Sequence, residues 1–393
     1  MIIKPRVRGF ICTTAHPTGC AANVNQQIQC VRSRGVLTPG PRNALILGSS
    51  AGYGLASRIV AAFGSGAKTL GVCFEKPPTE KRTATAGYYN DQAFRRAARE
   101  AGLFATTLNA DAFADETRDQ AMAEIREHMG PIDLVVYSLA SPVRKHPRTG
   151  ELYRSAIKPM GEAFHVKSLN LDRGEVVEVD LEPATREEVD ATVAVMGGED
   201  WEYWMAALRD AGLLAPDCVA IAYTYIGSDL TWPIYWQATL GKAKEDLDRA
   251  AGAIQRDIGS KGGVAKVAVL KFVVTQASAA IPVVPLYGSL LLRVMREQGV
   301  GEDPIEHIDR LFRTQLYGSA EMRLDDAGRI RMDELELRDD IQSVVKQRWA
   351  QVTTDNLETL SDFERFRGEF LKIFGFGVEG VDYEADVDPR GLD

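Results

Sequence analysis

Short apolar runs alternate with helical stretches along this chain, and a glycine-rich turn follows one of the first runs. Together these features predict an α/β fold on a doubly wound parallel sheet. Strands covered on both faces read as unbroken apolar runs rather than alternating ones, and six are legible. They are residues 43–48 (NALILG), 68–74 (KTLGVCF), 103–111 (LFATTLNAD), 132–140 (IDLVVYSLA), 218–227 (CVAIAYTYIG) and 264–275 (VAKVAVLKFVVT). Helical patterns separate them, starting near Tyr53, Asp91 and Ala114, with a long one ending near Gly259. From about Arg144 to Asp200 the rhythm stops, and strand patterns around the turn DRGE mark an inserted small β region. The last third reads as helical additions, with a hairpin expected over residues 322–332 (MRLDDAGRIRM). The organisation expected is one large domain over 1–393, with an insertion at 144–200 and a mostly helical addition at 300–393. The first 40 residues and the tail after Gly375 are expected to pack on that domain.

The 393 residues carry 46 Lys and Arg against 55 Asp and Glu, a net charge of −9 that disfavours nucleic acid and membrane surfaces as partners. No apolar run reaches membrane-spanning length: residues 279–292 (AAIPVVPLYGSLLL) are interrupted by Pro282, Pro285 and Gly288. The N-terminal stretch has no signal-peptide pattern, so a soluble cytoplasmic protein is expected. Cys12, Cys20 and Cys30 fall near His16, but without the closely paired spacing of a zinc site. With Cys73 and Cys218 they are expected to be reduced structural thiols, with no metal bound.

The turn LILGSSAGYGLA places Gly48, Gly52 and Gly54 between a strand and a helix. A dinucleotide site needs a tight turn, close backbone approach to the pyrophosphate and a helix N-terminus aimed at it. Gly48 and Gly52 can supply the first two and Gly54 a close helix contact, while Ser49 and Ser50 add hydroxyls. After a buried strand this G-x3-G-x-G spacing makes the sheet Rossmann-type; alone it would be an ordinary βα turn. Glu75 ends the second strand, where a carboxylate accepts from the adenosine ribose and repels a 2′-phosphate, favouring NADH over NADPH. Lys76, Lys81 and Arg82 nearby soften that preference. Asp111 ends the third strand, and Leu139 and Ala140 the fourth, beside the expected adenine and nicotinamide ribose.

Residues 225–244 (YIGSDLTWPIYWQATLGKAK) hold two tyrosines and two lysines that a reductase could use. Tyr235 and Lys244 are nine residues apart, about half a turn out of phase on a continuous helix. Lys242 is in phase but about 10.5 Å further along by rise. Lys244 can serve only if Tyr235 lies on a lead-in before the regular helix, which Pro233 and Gly241 make reasonable. Trp232 and Trp236 read as pocket walls or core.

The segments GFICTTAHPTGC, GSSAGYG and YSLASP, with Glu75 and the Tyr235-x8-Lys244 pair, resemble the trans-2-enoyl-CoA reductases and the V-type enoyl-acyl-carrier-protein reductases, within the short-chain dehydrogenase superfamily. The resemblance covers essentially the whole chain. It implies a monomeric enzyme that uses NADH to reduce the double bond of an enoyl-CoA or enoyl-carrier-protein thioester in fatty-acid elongation. It further implies that Tyr235 donates the proton, Tyr225 contacts substrate and Lys244 binds the nicotinamide ribose. The cofactor residues it implies are Gly48, Ser49, Ser50, Ala51, Gly52, Tyr53, Phe74, Glu75, Asp111, Ala112, Leu139, Ala140, Lys244, Val273, Val274 and Thr275. Arg144, Lys145 and Arg148 are cations that could meet either anionic carrier. Two other readings compete. Ketone reduction needs a Tyr–Lys pair one turn apart, but Tyr235-x3 leads to Thr239. A non-enzymatic dinucleotide sensor has no need to retain Tyr235, Lys244, Glu75 and Thr275.

Overall fold

The structure, a computed structural model, describes residues 1–80 and 82–391. It opens with a short antiparallel pair, β1 (Val7–Arg8) and β2 (Ile11–Cys12). Helix α1 (Pro17–Ser33) follows, capped by His16 Nδ1 and started by a proline whose fixed φ suits the first helical position. Next come β3 (Asn43–Leu47), α2 (Gly52–Ile59), β4 (Lys68–Cys73), α3 (Ala86–Glu100), β5 (Ala105–Asn109), α4 (Asp115–Glu124) and β6 (Ile132–Tyr137). Two hairpins come after them, β7 (Val143–Lys145) with β8 (Leu152–Arg154) and β9 (Phe164–Asn170) with β10 (Glu175–Leu181). Helices α5 (Arg186–Met196) and α6 (Glu199–Asp210) lead into β11 (Leu214–Thr224), α7 (Thr239–Ile258) and β12 (Val264–Val269). The remainder is α8 (Gln276–Ala279), α9 (Val284–Glu297), α10 (Pro304–Leu311), β13 (Ile330–Arg331), α11 (Asp339–Gln351), α12 (Leu357–Leu360) and α13 (Phe363–Ile373).

Seven strands form one parallel sheet in the order β13-β12-β11-β6-β3-β4-β5. From β3 the chain winds outward through β4 and β5, then returns to β6 on the other side of β3. That reversal opens a crevice at the carboxyl ends of the central strands, where ligands bind in doubly wound sheets. Alternation within β3 explains the two-sided core: Ala44 and Ile46 pack with α2 and α10, while Leu45 and Leu47 pack with α6 and α7. Helix α7 buries Leu240, Ala243, Leu247, Ala250, Ala251, Ile254 and Ile258, the i, i+3, i+4 stripe of a helix lying on a sheet. Beneath the glycine turn, buried Arg58 of α2 pairs with Asp91 of α3 at 2.9 Å and donates to Thr107 at 2.9 Å. Breaking such a pair leaves an uncompensated buried charge, at a cost of about 3–5 kcal/mol.

Three expectations change. The turn of the 322–332 hairpin exists, with Leu324 bridging Ile330, but its second arm joins the main sheet. Ile330 and Arg331 pair in parallel with Ala268 and Val269, making a seventh strand too short to show a periodicity. The strand expected over 264–275 stops at Val269, because neighbouring β11 ends at Thr224 and β13 spans only two residues. Residues 270–275 therefore leave the sheet as an irregular segment. The 144–200 region contains the expected β9–β10 hairpin but also β7–β8 and α5, whose capping box Thr185–Glu188 is a legible start signal.

Candidate active site

Gly48 follows β3 with φ +85°, and a Cβ there would lie 2.2 Å from the Ser138 carbonyl oxygen. Only glycine fits a turn that is both left-handed and pressed against β6. The Gly48 and Ser49 N–H groups both donate to the Val72 carbonyl, at 2.9 and 3.1 Å, which ties the turn to β4. At Gly54 a Cβ would stand 2.0 Å from the Gly48 oxygen, so the helix passes as close to the turn as backbone allows. The N-cap of α2, Ala51, offers no side chain to the first-turn N–H groups, and Ala51 and Gly52 are exposed. Those donors face outward for an anion.

Glu75, two residues past β4, is held from several sides. Ser50 Oγ donates to its Oε1 at 2.6 Å, and the Thr85 hydroxyl donates to Oε2. Asn109, at the end of β5, accepts the Glu75 N–H at 2.7 Å and donates to its carbonyl at 2.9 Å. Thr85 and Asn109 escaped the sequence reading, although each sits at an element end where polar residues concentrate. A cavity of about 1120 Å³ spans this region, larger than the roughly 300–1,000 Å³ usual for ligand pockets. Its lining includes Ala51, Gly52, Glu75, Val273, Val274 and Thr275. Thr275 caps α8 by accepting the Ser278 N–H at 2.9 Å, which fixes the exit of the irregular 270–275 segment. The turn, the carboxylate and this segment together fit the diphosphate and ribose of a dinucleotide.

Tyr235 lies at the end of a single 3-10 turn, Trp232–Ile234, and α7 begins four residues later at Thr239. The lead-in is fastened to the helix: the Gly241 N–H donates to the Tyr235 carbonyl at 3.0 Å. Gly241 precedes Lys244 by three residues, so Tyr235's backbone is moored one turn ahead of the lysine on nearly the same side. The Tyr235 ring meets the Tyr225 ring edge-on, with centroids 5.2 Å apart. Burial raises the Tyr235 phenol above its ordinary value, keeping it a donor at neutral pH. Burial lowers the Lys244 ammonium to about 8, opposed by Asp248. Tyr225 donates to Glu336 Oε1 at 2.8 Å.

The other named positions differ in what they offer. The Tyr53 ring turns inward, its hydroxyl donating to the Lys271 carbonyl at 3.1 Å, so only its backbone faces the turn. Phe74 is 78% exposed beside Glu75. Asp111 caps its own loop by accepting the Phe113 N–H at 3.0 Å, and the carbonyl of buried Ala112 accepts from Trp204 Nε1 at 3.0 Å. Leu139 is half-buried and Ala140 exposed past β6. Gly48, Ser49, Ser50, Tyr53 and Phe74 lie outside the cavity lining, as do Asp111, Ala112, Leu139, Ala140 and Tyr225 past their strand ends, Tyr235 on the lead-in and Lys244 on α7. Trp232 donates to the Gly227 carbonyl at 3.0 Å, and the Arg329 guanidinium stacks over Trp236 at 5.1 Å, so both tryptophans shape the lead-in.

Arg144 is not available to an anionic carrier. It is 2% exposed, donates to the Ala194 carbonyl at 2.6 Å and pairs with Glu199 at 2.9 Å. Lys145 and Arg148 are exposed, Arg148 stacking on Tyr203 at 4.2 Å; Lys81 lies outside the described residues. All five cysteines are free, and burial raises the Cys73 and Cys218 thiols to about 12, far from a nucleophilic thiolate at neutral pH. Among the described residues no His, Cys, Asp and Glu cluster is arranged for a metal, and no helix is long and apolar enough to cross a membrane.

A glycine turn at the carboxyl ends of a doubly wound sheet, with a carboxylate just past the next strand, marks a dinucleotide-binding protein. Comparison with known proteins narrows this class. Residues 2–80 match the family model for the NAD(P)H binding domain of trans-2-enoyl-CoA reductase, and residues 82–317 that for its catalytic region. The chain is 57% identical over 389 residues to an enoyl-[acyl-carrier-protein] reductase [NADH] of Edwardsiella ictaluri, covering 99% of this chain and 98% of that protein. The FabV enoyl-[acyl-carrier-protein] reductase [NADH] of Aeromonas salmonicida is 56% identical with the same coverage. The Clostridium acetobutulicum trans-2-enoyl-CoA reductase in complex with NADH superposes with a TM-score of 0.96 at 40% identity, covering 99% of this chain and 98% of that one. The Treponema denticola enzyme in complex with NAD superposes at 0.95 with 45% identity, covering 98% of each chain. This chain belongs to the trans-2-enoyl-CoA reductase family.

Residues 324–387 match a model described as an enoyl reductase FAD binding domain. Here they form β13 and α11 to α13, and Phe363, Phe366, Phe370 and Phe374 are buried in the core. Their share of the cavity wall is Arg365, Glu369, Lys372, Ile373 and Phe374, without a glycine-rich strand-to-helix turn among the described residues. That region does not fit a flavin dinucleotide.

Proposed function

We propose that this chain reduces the trans-2 double bond of enoyl thioesters with NADH, in the last reductive step of fatty-acid elongation. The observation that carries the reading is the Tyr235 lead-in moored to α7 beside the Tyr225 ring. NADH, when bound, supplies hydride to the β-carbon, and negative charge then develops on the thioester oxygen. Tyr235, neutral and buried, donates to that oxygen and supplies the proton that completes reduction. Lys244 presents an ammonium for the nicotinamide ribose, and Glu75 accepts from the adenosine ribose while repelling a 2′-phosphate. The higher identity to proteins named for carrier-protein substrates, 57% and 56% against 40% and 45%, supports an acyl-carrier-protein thioester over the CoA form.

Tyr235→Phe should lower kcat/KM for crotonyl-CoA by roughly 10²–10³-fold, the usual effect of removing one oxyanion donor. NADH affinity, read by fluorescence titration, should stay within about threefold. Undiminished turnover would remove Tyr235 from the mechanism.

A further inference from the structure

Glu336, between β13 and α11, is fully buried and 111 residues from Tyr225 in sequence, yet their side chains meet. Three donors converge on its carboxyl group. Tyr225 and Tyr287 donate to Oε1 at 2.8 and 2.9 Å, and the Phe272 N–H donates to Oε2 at 2.5 Å. Gln342 closes the cluster, its amide donating to the Tyr287 oxygen at 3.1 Å and to the Glu336 carbonyl at 2.7 Å. Burial raises the Glu336 carboxyl above the usual carboxylate range, and the three donors oppose that shift. The Tyr225 ring in turn touches Tyr235 and Phe272, with centroids 5.2 and 6.4 Å apart. Phe272 belongs to the irregular segment that continues into Val273–Thr275 at the cavity wall.

We propose that Glu336 is a positioning residue for substrate reduction: it anchors the Tyr225 hydroxyl and so sets the direction in which that phenol meets the acyl thioester. The proposal rests on the reading of Tyr225 as a substrate contact. A carboxylate, being acceptor-only, takes all three donors at once. While it does so, the Tyr225 proton points at Glu336, so this phenol meets the substrate with its ring and lone pairs and leaves donation to the thioester oxygen to Tyr235. Through the Phe272 N–H the same carboxyl group ties this orientation to the start of the 272–275 segment. A buried carboxylate is costly to maintain, and aromatic packing alone would not require one.

Glu336→Gln separates direction from shape. Its carboxamide oxygen must face the buried Phe272 N–H, which turns the NH2 group toward both phenols and reverses the direction of their bonds. In the otherwise unchanged protein this variant should lower kcat/KM for crotonyl-CoA about tenfold, and in a Tyr225→Phe background by less than about twofold. NADH affinity, read by fluorescence, should hold in both. With 13Cζ-labelled tyrosine, the Tyr225 resonance should move in Glu336→Gln protein. Should that variant fail to fold, Glu336→Asp keeps the charge while withdrawing Oε1, and the same dependence on Tyr225 is expected. Equal losses in both backgrounds, or an unmoved Tyr225 resonance, would overturn the proposal. If the unaltered protein leaves NADH unoxidised with both crotonyl-CoA and crotonyl-acyl-carrier protein, the functional reading falls, while the resonance comparison still decides whether Glu336 holds Tyr225.

Discussion

Lys244 sits in the second turn of α7, where burial draws its ammonium down to about 8. Its charge is full below that value and is lost as pH rises through it, and a neutral amine is the weaker donor to ribose hydroxyls. The dissociation constant for NADH should therefore climb as pH passes about 8, and Lys244→Met should flatten the profile while weakening binding below it. The same shift acts on folding with the opposite slope. The unfolded chain holds the proton up to the ordinary 10.5, so this residue's penalty shrinks between about 8 and 10.5. Glu75 makes a second residue-scale prediction: Glu75→Ala should move the NADPH-to-NADH preference toward NADPH by roughly tenfold in kcat/KM. An unmoved ratio would hand the selectivity to another group. Gly48, Glu75 and the Tyr235 lead-in were legible because each marks a local demand, namely a left-handed turn, a strand-end acceptor and a proline-led turn before a helix. Glu336 was not, since nothing near it in sequence announces Tyr225, and Arg144 misled because a lone arginine carries no sign of its burial.

At the scale of elements, strands with apolar runs of five or more residues were readable because both faces of the sheet are covered. The two-residue β13 and the departure of residues 270–275 were not, because each is decided by where a neighbouring strand stops. The backbone between α8 and α9 is also strained: Val283, just before α9, is β-branched and buried at φ +76°. Such a conformation persists only where its surroundings determine it, and here it separates α8 from α9 and packs with Val166 and Ile234. The π turns at Val60–Gly64 and Ile125–Met129, which end α2 and α4, left no trace in the hydrophobic pattern.

Across the whole molecule, the two ends of the chain cooperate. The His16 N–H donates to the Phe374 carbonyl at 2.8 Å, and its ring meets Phe376 and Tyr383 with centroids 5.9 and 5.0 Å apart. Tyr89 of α3 donates to the Pro389 carbonyl. The segment after α13 thus braces α1 and α3, the helices beside the cofactor turn. Phe376→Ala should remove about 3 kcal/mol of packing and lower Tm by roughly 3–8 °C, with crotonyl-CoA reduction at 25 °C retained. An unchanged melting curve would show that this bracing is ornamental. Composition could place these ends on the domain, but not say what they touch, because such contacts join residues 300 or more positions apart.

The mooring of Tyr235 to Gly241 also bears on how such enzymes can diverge. A residue inserted within α7 ahead of Lys244 would swing the lysine by about 100° around the helix axis. One inserted between Tyr235 and Ala238 would lengthen the approach while leaving the lysine's azimuth untouched, provided the carbonyl-to-amide tie re-forms. Lineages are therefore free to gain or lose residues in the approach, and reductases with different Tyr–Lys spacings can descend from one another without abandoning the chemistry.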